Sequence, residues 1–525
     1  DPIDQKIVLL TSKNRGQSWE SVGNDFFKST VKEGESFFAS SGTNLIIDFK
    51  DIFFVSGGVF SRCWINGEAL PLPIIQGKQS TGANSLAISP NNNHITIVGG
   101  DFMNEQSKDQ NIVRLDRFIH PNSENRTKEK KIKTYFEAEV AAGRLPGGVI
   151  AVARQGKLVM YESFGKHNPA SSSAMPKDAI FRIYSMTKPL ASVAAMALVE
   201  DGVIQLTDPV SKWLPEFASM KVSIPTKGAD GKTTYEFVPA ARPILVQDLL
   251  RHTAGLAYGE ITQNDPTKQA YEAAGIYKPG KNEYDSRDMT PAEQVSGVAK
   301  APLVHQPGVI WEYSFASDIL GRVVESASKK SLGIFLQERV FKPLKMSDTG
   351  FYVPGPNLKR VAEPFEIDPW TKRKFPLMDV SMPPKNDSGG AGAVSTAVDY
   401  IRFGQMLLNG GVLEGAQVLS PTTIRLMASD HLGDRKSNPL TPGGLLLGTP
   451  EGYTFGLGFL VRDKTGMAGV HGSIGEFMWA GYAGTFFWVD PSQQLVAVLM
   501  TQQSGPSRGY YRKSMKNLVG QAIVK

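Results

Sequence analysis

The residues that carry most information about this chain are 183–199, which read Ile183-Tyr184-Ser185-Met186-Thr187-Lys188-Pro189-Leu190-Ala191-Ser192-Val193-Ala194-Ala195-Met196-Ala197-Leu198-Val199. Alanine and leucine dominate residues 190–199, which predicts a buried helix. Proline is tolerated only in the first turn of a helix, so Pro189 places the helix start close to Ser185. Ser185 and Lys188 are then three residues apart and lie on one face of that first turn.

This spacing brings a nucleophile and a base together at the start of a helix. The free N–H groups and positive potential of a helix N-terminus help to stabilise an oxyanion. A lysine buried in the same turn can take the serine proton. Because a serine three residues before a lysine also occurs by chance in many helices, the interpretation depends on motifs elsewhere in the chain.

Two further elements come after this pair in the chain, Tyr313-Ser314-Phe315 and then Trp479-Ala480-Gly481 on a glycine-rich strand. In this order the three elements resemble the serine β-lactamase and penicillin-recognising superfamily. They are most similar to its class C-like members, and among these to the family VIII carboxylesterases. The segments L-R-H-T-A-G-L at residues 250–256 and G-G-A-G-A-V-S-T at residues 389–396 add to the resemblance, which covers roughly residues 135–525.

The resemblance implies a role for each matching residue. Ser185 is implied as the acylated nucleophile, Lys188 as its base, and Tyr313 as the group that passes the proton to the leaving group. The implied oxyanion hole is made by two main-chain N–H groups, that of Ser185 and one from the third-motif strand, which we assign to Tyr482. The substrate is then a small-molecule acyl ester.

The third motif has three candidates. Lys464-Thr465-Gly466 matches the K-T-G of the β-lactamases, and His471-Gly472-Ser473 resembles its H-x-G variant. Lys464 comes after Arg462-Asp463 at a strand end and is typical of a polar hairpin turn. We therefore choose Trp479-Ala480-Gly481, which lies just before the last two predicted strands.

Two departures from the β-lactamase pattern favour esters over β-lactams. Phe315 stands where those enzymes have an Asn side chain that binds the substrate amide, and Trp479 replaces a cation that would hold the β-lactam carboxylate. Losing such a charged contact costs about 1.5–3 kcal/mol.

Tyr258 and Trp311 are further candidates for the acyl pocket. His252 is interpreted as a hydrogen-bonding group that fixes a loop, and His471 as a possible pocket residue, because Lys188 and Tyr313 already fill the role of the base.

Other classes of function find little support. The chain has one cysteine, Cys63, and its histidines lack partners at ligand spacing, so we predict neither a metal site nor a cofactor. There is no G-x-S-x-G motif of an α/β-hydrolase. Residues 1–121 carry 11 Lys/Arg and 13 Asp/Glu, so the net charge of +6 arises in the remainder, and no nucleic-acid-reading motif accompanies it. No apolar run is long enough to span a membrane.

The first part of the chain differs from the rest. Residues 1–120 contain short β-rich runs separated by Gly, Asn and Ser, and residues 12–19, S-K-N-R-G-Q-S-W, resemble the Asp-box hairpin of sialidase-type β-propellers. This length holds too few blades to close a propeller. We predict an all-β module at 1–120 that contacts another subunit or a glycan, a charged linker at 121–134, and a hydrolase domain at 135–525.

The predicted fold of residues 135–525 is α+β and β-lactamase-like. Its strands at both ends form one antiparallel sheet flanked by helices, and a helical lobe lies between them. Alternative activities of the same Ser-Lys-Tyr site are those of a β-lactamase, a D-aminopeptidase, an amide hydrolase or an acyltransferase, and a binding protein acting through the β-module is the alternative outside enzymology. The chain begins at Asp1 without a signal-peptide pattern. We expect a soluble protein, with cytoplasm and export both open.

Overall fold

The computed structural model describes residues 10–11, 20–21, 30, 32, 35–36, 45–48, 51–58, 60–65, 68–72, 81–88, 94–101, 112–116, and 123–523 apart from 172, 280–285 and 450. These residues belong to two compact units, Asp1–Arg126 and Thr127–Lys525. The predicted Asp-box motif at residues 12–19 lies outside the described residues.

The described residues of the first unit up to 116 form strands, in agreement with the all-β prediction. Their bounds are β1 Leu10–Thr11, β2 Glu20–Ser21, β3 Glu35–Ser36, β4 Leu45–Asp48, β5 Asp51–Gly58, β6 Arg62–Ile65, β7 Glu68–Pro71, β8 Thr81–Ile88, β9 His94–Asp101 and β10 Ile112–Asp116. The main sheet has the order β10-β9-β8-β5-β6-β7. Trp64 stacks on Phe54 with 5.6 Å between ring centroids, and the buried Arg62 pairs with Glu35. Aromatic packing and one buried ion pair thus form the described centre of this unit.

The charged segment 121–134 differs from its prediction as a linker, because helix α1 spans Ser123–Ala141. Polar residues alone predict a solvated connection, but here one helix face carries apolar residues. Phe136 on that face is fully buried, and Lys133 on another face lies 3.2 Å from Glu162. Lys130 and Lys131 are exposed whereas Ile132 is buried, so the described part of this segment has the two faces of an amphipathic helix.

The second unit continues with the elements whose bounds are β11 Gly147–Arg154, β12 Lys157–Gly165, β13 Phe181–Arg182, α2 Thr187–Glu200, β14 Lys221–Lys227, β15 Thr233–Pro239, α3 Val246–Leu250, α4 Asp265–Ala273, α5 Pro291–Lys300, β16 Ile310–Trp311, α6 Ala316–Ser328, α7 Leu332–Leu336, β17 Val394–Ser395, α8 Ala397–Leu408, β18 Val412–Leu413, β19 Ala416–Gln417, α9 Pro421–Met427, β20 Lys436–Ser437, α10 Pro442–Leu447, β21 Tyr453–Phe455, β22 Leu460–Arg462, β23 Phe477–Ala480, β24 Phe486–Asp490, β25 Leu495–Thr501 and α11 Arg508–Ala522.

One antiparallel sheet of seven strands organises this unit, in the order β12-β11-β25-β24-β23-β22-β21. Strands β11 and β12 form a hairpin around Gln155 and Gly156, whose φ angles of 51° and 73° suit a two-residue turn. Strand β25 pairs with β11, with Val149 opposite Met500. The predicted sheet built from both ends of the domain is confirmed.

Helices cover both faces of this sheet, as the alternation of side chains along β24 shows. The ring of Phe487 lies 4.9 Å from that of Tyr400 on α8, whereas its neighbour Trp488 lies under the ammonium of Lys516 on α11 at 4.8 Å. Helix α2 packs against α6 in the helical part. The α+β, β-lactamase-like fold is confirmed. Among the residues that the structure describes, no helix has the length and apolar character needed to cross a bilayer.

Candidate active site

Ser185 lies in a single tight turn, Tyr184–Met186, immediately before α2. Tyr184 has a φ angle of +43°, an unusual conformation for a residue with a side chain. Two buried contacts hold the turn in place: Tyr400 donates its hydroxyl hydrogen to Met186 O at 2.7 Å, and the N–H of Met378 donates to the hydroxyl of Tyr184 at 2.9 Å. The surrounding elements therefore fix the position of the serine.

Three of the predicted residues meet at this turn. The hydroxyl of Tyr313 donates to Ser185 Oγ at 2.6 Å, and Lys188 Nζ donates to the same oxygen at 3.3 Å. The ammonium also lies 4.7 Å from the centre of the Tyr313 ring. Ser185 Oγ is thus in hydrogen-bond contact with two groups that can accept and return its proton.

Lys188 is 1% exposed and has two further partners. Its Nζ donates to Gly390 O at 2.8 Å and to the hydroxyl of Tyr258 at 3.1 Å. Gly390 belongs to the glycine-rich segment noted in the sequence, and its N–H donates to the buried carboxylate of Asp318 at 3.2 Å. In the part of the chain that the structure describes, no carboxylate forms an ion pair with Lys188, so neutral oxygens hold it.

The third motif approaches the serine at the end of β23. The N–H of Gly481 donates to Thr485 O at 2.8 Å, closing a turn between β23 and β24. A Cβ atom on Gly481 would lie 2.3 Å from Ile183 O and 2.2 Å from Thr485 Oγ1. Only glycine therefore lets this strand end lie so close to the turn that carries Ser185.

A cavity of about 290 Å³ opens at Ser185. Its lining residues are Ser185, Glu260, Ile261, Tyr313, Leu440, Leu445, Leu446, Trp479, Ala480, Gly481, Tyr482, Arg508 and Arg512. Of the other two candidates for the third motif, Lys464 is exposed just beyond the end of β22, and His471 lines a separate cavity that also contains Lys516. The structure thus brings Trp479-Ala480-Gly481 to the serine.

Three aromatic residues predicted for the pocket pack around the Ser-Lys-Tyr group instead of lining this cavity. The ring of Phe315 lies 4.5 Å from that of Tyr258, which in turn lies 5.3 Å from that of Tyr313. Trp311 stacks on the other side, 6.4 Å from Tyr313. These rings exclude water from Lys188 and restrict the movement of the Tyr313 ring.

His252 is buried beside Tyr313 with 5.1 Å between the ring centres. Its Nδ1 lies 3.3 Å from Ser314 Oγ, and its carbonyl accepts from the N–H of Glu312 at 2.9 Å. Burial, and then the nearby charge of Lys188, lower the pKa of His252 well below its usual range. The neutral ring therefore links its own loop to the segment that carries Tyr313.

Sequence reasoning missed two arginines that line the cavity. Arg512 Nη2 donates to Gly481 O at 2.7 Å, and Arg508 Nη1 donates to Tyr482 O at 3.0 Å. Both lie on α11, and their spacing of four residues on a C-terminal helix is the signal that could have grouped them.

Within the described residues, no group of three or more His, Cys, Asp or Glu is placed to hold a metal ion.

Comparison with known proteins agrees with this geometry. Residues 132–519 match the model of the beta-lactamase family. The chain is 36% identical over 368 residues to protein Rv1367c of Mycobacterium tuberculosis (strain ATCC 25618 / H37Rv), over 69% of this chain and 86% of that protein. It is 29% identical over 400 residues to esterase EstB of Burkholderia gladioli, over 72% and 92%. The structure of EstCE1, a hydrolase with promiscuous acyltransferase activity, matches with a TM-score of 0.59 and 25% identity, over 75% of this chain and 98% of EstCE1.

The matched region begins inside α1 and ends inside α11, so it contains the whole seven-stranded sheet and the Ser185 cavity. It covers well over half of the chain, and the relatives with an assigned activity include an esterase and a hydrolase. The fold, the site and the sequence similarity therefore lead to one assignment. This chain belongs to the beta-lactamase family and is an enzyme of the beta-lactamase-like serine hydrolase superfamily.

Proposed function

We propose that this protein cleaves short-chain carboxylic esters through an acyl-enzyme on Ser185. The observation that carries the proposal is the position of Ser185 Oγ, which contacts Tyr313 OH at 2.6 Å and Lys188 Nζ at 3.3 Å while lining a cavity. A hydroxyl is a weak nucleophile until a neighbouring base takes its proton. Lys188 and Tyr313 are the two groups within reach of that proton.

Acylation begins when Ser185 Oγ attacks the ester carbonyl carbon. The serine proton passes to the Lys188–Tyr313 pair, and the carbonyl oxygen becomes an oxyanion. Collapse of the tetrahedral intermediate breaks the bond to the alcohol oxygen. Tyr313 then donates a proton to that oxygen, so the alcohol leaves neutral and the acyl group stays on Ser185.

The oxyanion is stabilised by main-chain N–H groups of Ser185 and Tyr482 in this mechanism. Support for Tyr482 comes from the turn at the end of β23, where the N–H of Gly481 already donates to Thr485 O. The next N–H along the chain is that of Tyr482, and this residue lines the same cavity as Ser185. Water then attacks the acyl-enzyme with the same groups acting in reverse order.

The preference for a small apolar acyl group rests on the apolar part of the cavity wall, which lies beside the charged residues Glu260, Arg508 and Arg512. Ile261, Leu440, Leu445 and Leu446 provide apolar surface, and Trp479 closes the side beside Tyr313. Similarity to the esterase EstB supports the same reaction class. From the order of the Ser185–Lys188, Tyr313 and Trp479 motifs we further propose that the chain belongs to the class C-like group and to the family VIII carboxylesterases. Phe315, which packs on Tyr258, leaves no amide side chain at the position that favours β-lactams.

The test compares hydrolysis of p-nitrophenyl butyrate with that of a chromogenic cephalosporin. We expect rapid ester turnover, little cephalosporin turnover, and loss of both in Ser185→Ala by a factor of about 10³ or more. A series of p-nitrophenyl esters from acetate to decanoate measures the chain-length preference. Dominant cephalosporin turnover, or a Ser185→Ala variant as active as the wild type, would contradict the proposal.

Acyl transfer is a second candidate, favoured by the similarity to EstCE1, a hydrolase with promiscuous acyltransferase activity. An alcohol that enters the apolar cavity can attack the acyl-enzyme in place of water. Hydrolysis in the presence of increasing butanol separates the two outcomes. Formation of butyl butyrate in proportion to the alcohol supports transfer, whereas butyrate as the sole product supports hydrolysis alone.

A further inference from the structure

Arg512 is a buried arginine on α11 that bonds to main-chain oxygens at the Ser185 cavity. Its Nη2 donates to Gly481 O at 2.7 Å, and its Nη1 donates to Leu446 O at 3.0 Å. The side chain is 4% exposed and lines the cavity. The guanidinium is therefore fixed at both ends by backbone carbonyls beside the reacting centre.

The carbonyl of Gly481 shares a peptide unit with the N–H of Tyr482. A hydrogen bond from a charged donor to one end of a peptide unit draws electron density toward the oxygen, so the N–H at the other end becomes a stronger donor. Because a peptide unit is planar, fixing its carbonyl also fixes the direction of its N–H. Arg512 thus acts on the same peptide that contributes the proposed second donor of the oxyanion hole.

The charge of Arg512 is not balanced by an ion pair within the described part of the chain. Among the residues that the structure describes, no carboxylate forms an ion pair with it, whereas Arg462 and Lys516 in the same unit share Glu476. Burial, and then the nearby charge of Arg508, lower the pKa of Arg512. Arginine nevertheless stays protonated in proteins. An unpaired buried charge is unfavourable in the resting protein, but an oxyanion forming in this cavity would offset its positive field.

We propose that Arg512 is a positioning residue, which orients and polarises the Gly481–Tyr482 peptide so that the Tyr482 N–H stabilises the oxyanion of the tetrahedral intermediate. The inference rests on the proposed function, because it needs an acyl transfer through Ser185. In this proposal Arg512 of α11 acts on the oxyanion through the Gly481–Tyr482 peptide and not through a contact with the substrate.

The experiment measures kcat and KM for p-nitrophenyl butyrate in Arg512→Met and Arg512→Lys. We expect Arg512→Met to lower kcat by about 10- to 100-fold, less than the roughly 10²- to 10³-fold of an oxyanion donor removed outright. KM should change little, because the interaction strengthens in the transition state. Arg512→Lys keeps the charge but loses the second hydrogen-bond donor. Its kcat should therefore lie between that of the wild type and that of Arg512→Met.

The affinity for butylboronic acid gives a second measurement, which would not change if Arg512 only stabilised the fold. This inhibitor forms a tetrahedral adduct with the serine, so its affinity should fall by the same factor as kcat/KM in each variant. Thermal unfolding of each variant checks that the protein is folded. If Arg512→Met does not fold, Arg512→Lys supplies the same comparison.

Arg508→Met is the matched control. Arg508 lies one turn earlier on α11 and bonds to Tyr482 O, which belongs to the next peptide unit. Its removal should lower kcat less than the removal of Arg512. The inference is overturned if a folded Arg512 variant keeps kcat within about threefold of wild type, or if its loss lies in KM alone. A wild type inactive on every ester, or active Ser185→Ala, would instead contradict the proposed function.

Discussion

Among its described residues, the second unit contains two buried lysines whose surroundings are opposite. Lys516, 2% exposed, pairs with Glu476 at 2.7 Å, and Arg462 lies 3.3 Å from the same carboxylate. Lys188, 1% exposed, donates to Ser185 Oγ and to two other neutral oxygens. One ammonium is held by a counter-charge and the other by hydroxyl and carbonyl groups alone.

The difference supports the proposed catalytic role of Lys188 and a structural role for Lys516. Burial lowers the pKa of Lys516, but Glu476 opposes this effect and holds the charge in place. If Lys516 lost its proton, an ion pair would be broken. Lys188 can release and regain a proton without breaking an ion pair, which is what a general base requires. A buried lysine without a carboxylate partner is thus a stronger indication of a catalytic role than a buried lysine that forms an ion pair.

The largest effect is expected for Lys188→Met. It should lower kcat/KM for p-nitrophenyl butyrate by about 10³- to 10⁶-fold, since the nucleophile loses its base. Its free energy of unfolding should change by no more than about 1 kcal/mol, because lost hydrogen bonds and the relief of a buried charge oppose each other. Steady-state kinetics and urea unfolding measure both quantities. Activity close to wild type would remove Lys188 from the mechanism.

Lys516→Met should give the opposite pattern. The variant leaves Glu476 with Arg462 and the Tyr453 hydroxyl as its remaining partners, so we expect a loss of about 3 kcal/mol in the free energy of unfolding. The kcat of the folded protein should stay close to that of the wild type. A kcat loss comparable to that of Lys188→Met would show that the two lysines are not distinct in role.

A double variant sharpens this test. Adding Glu476→Gln to Lys516→Met removes the charge of the buried carboxylate that has lost its lysine partner, so the two substitutions together should cost less than the sum of the single ones. Urea unfolding of the two single variants and the double variant gives the coupling free energy. Strict additivity would mean that the pair at 2.7 Å contributes nothing to stability.

The smallest effect is expected for Tyr258→Phe. It removes one hydrogen bond to Lys188, and a loss of about 1–2 kcal/mol corresponds to roughly a 5- to 30-fold fall in kcat/KM. Tyr453→Phe is the matched control, because its hydroxyl donates to Glu476 at 3.3 Å in the structural cluster. The control should lower stability and leave kcat unchanged. Equal kcat values for the two variants would exclude a role for Tyr258 in holding Lys188.

Local sequence patterns are sufficient for much of the fold. The β11–β12 hairpin has a local cause, because glycine at position 156 readily takes the positive φ angle that both residues of its two-residue turn adopt. Pro189 predicts the helix start, and the structure begins α2 at Thr187 with Ser185 in the turn before it. The helix at Ser123–Ala141 is not predicted from the sequence. Polar residues dominate its first part, so the few apolar residues that are buried, such as Ile132 and Phe136, do not stand out as a helical pattern.

The site is predictable where its residues lie close together in the chain. Ser185 and Lys188 lie in one turn, so their spacing indicates their contact. The partners that come from distant elements carry no such signal: Gly390 O reaches Lys188 across 202 residues of sequence. The spacing of Arg508 and Arg512 groups the two arginines with each other, but it does not indicate that they lie at the Ser185 cavity. The sequence predicts Tyr258 for the pocket wall, whereas its hydroxyl contacts Lys188, and that contact depends on tertiary packing. Packing alone makes these contacts, so pattern reasoning could not find them.

The pairing of β11 with β25 bears on the order in which a ribosome makes this chain. Strand β11 and the Ser185 turn emerge first, but the strand that lies beside β11 comes much later in the chain, with Thr501 of β25 separated from Gly147 of β11 by 354 residues. Until Leu495–Thr501 has left the exit tunnel, β11 has one unpaired edge, which is a surface prone to wrong pairing. Catalytic competence should therefore arise only after β25 has been synthesised and has left the exit tunnel, and the open edge of β11 is exposed to wrong pairing until then.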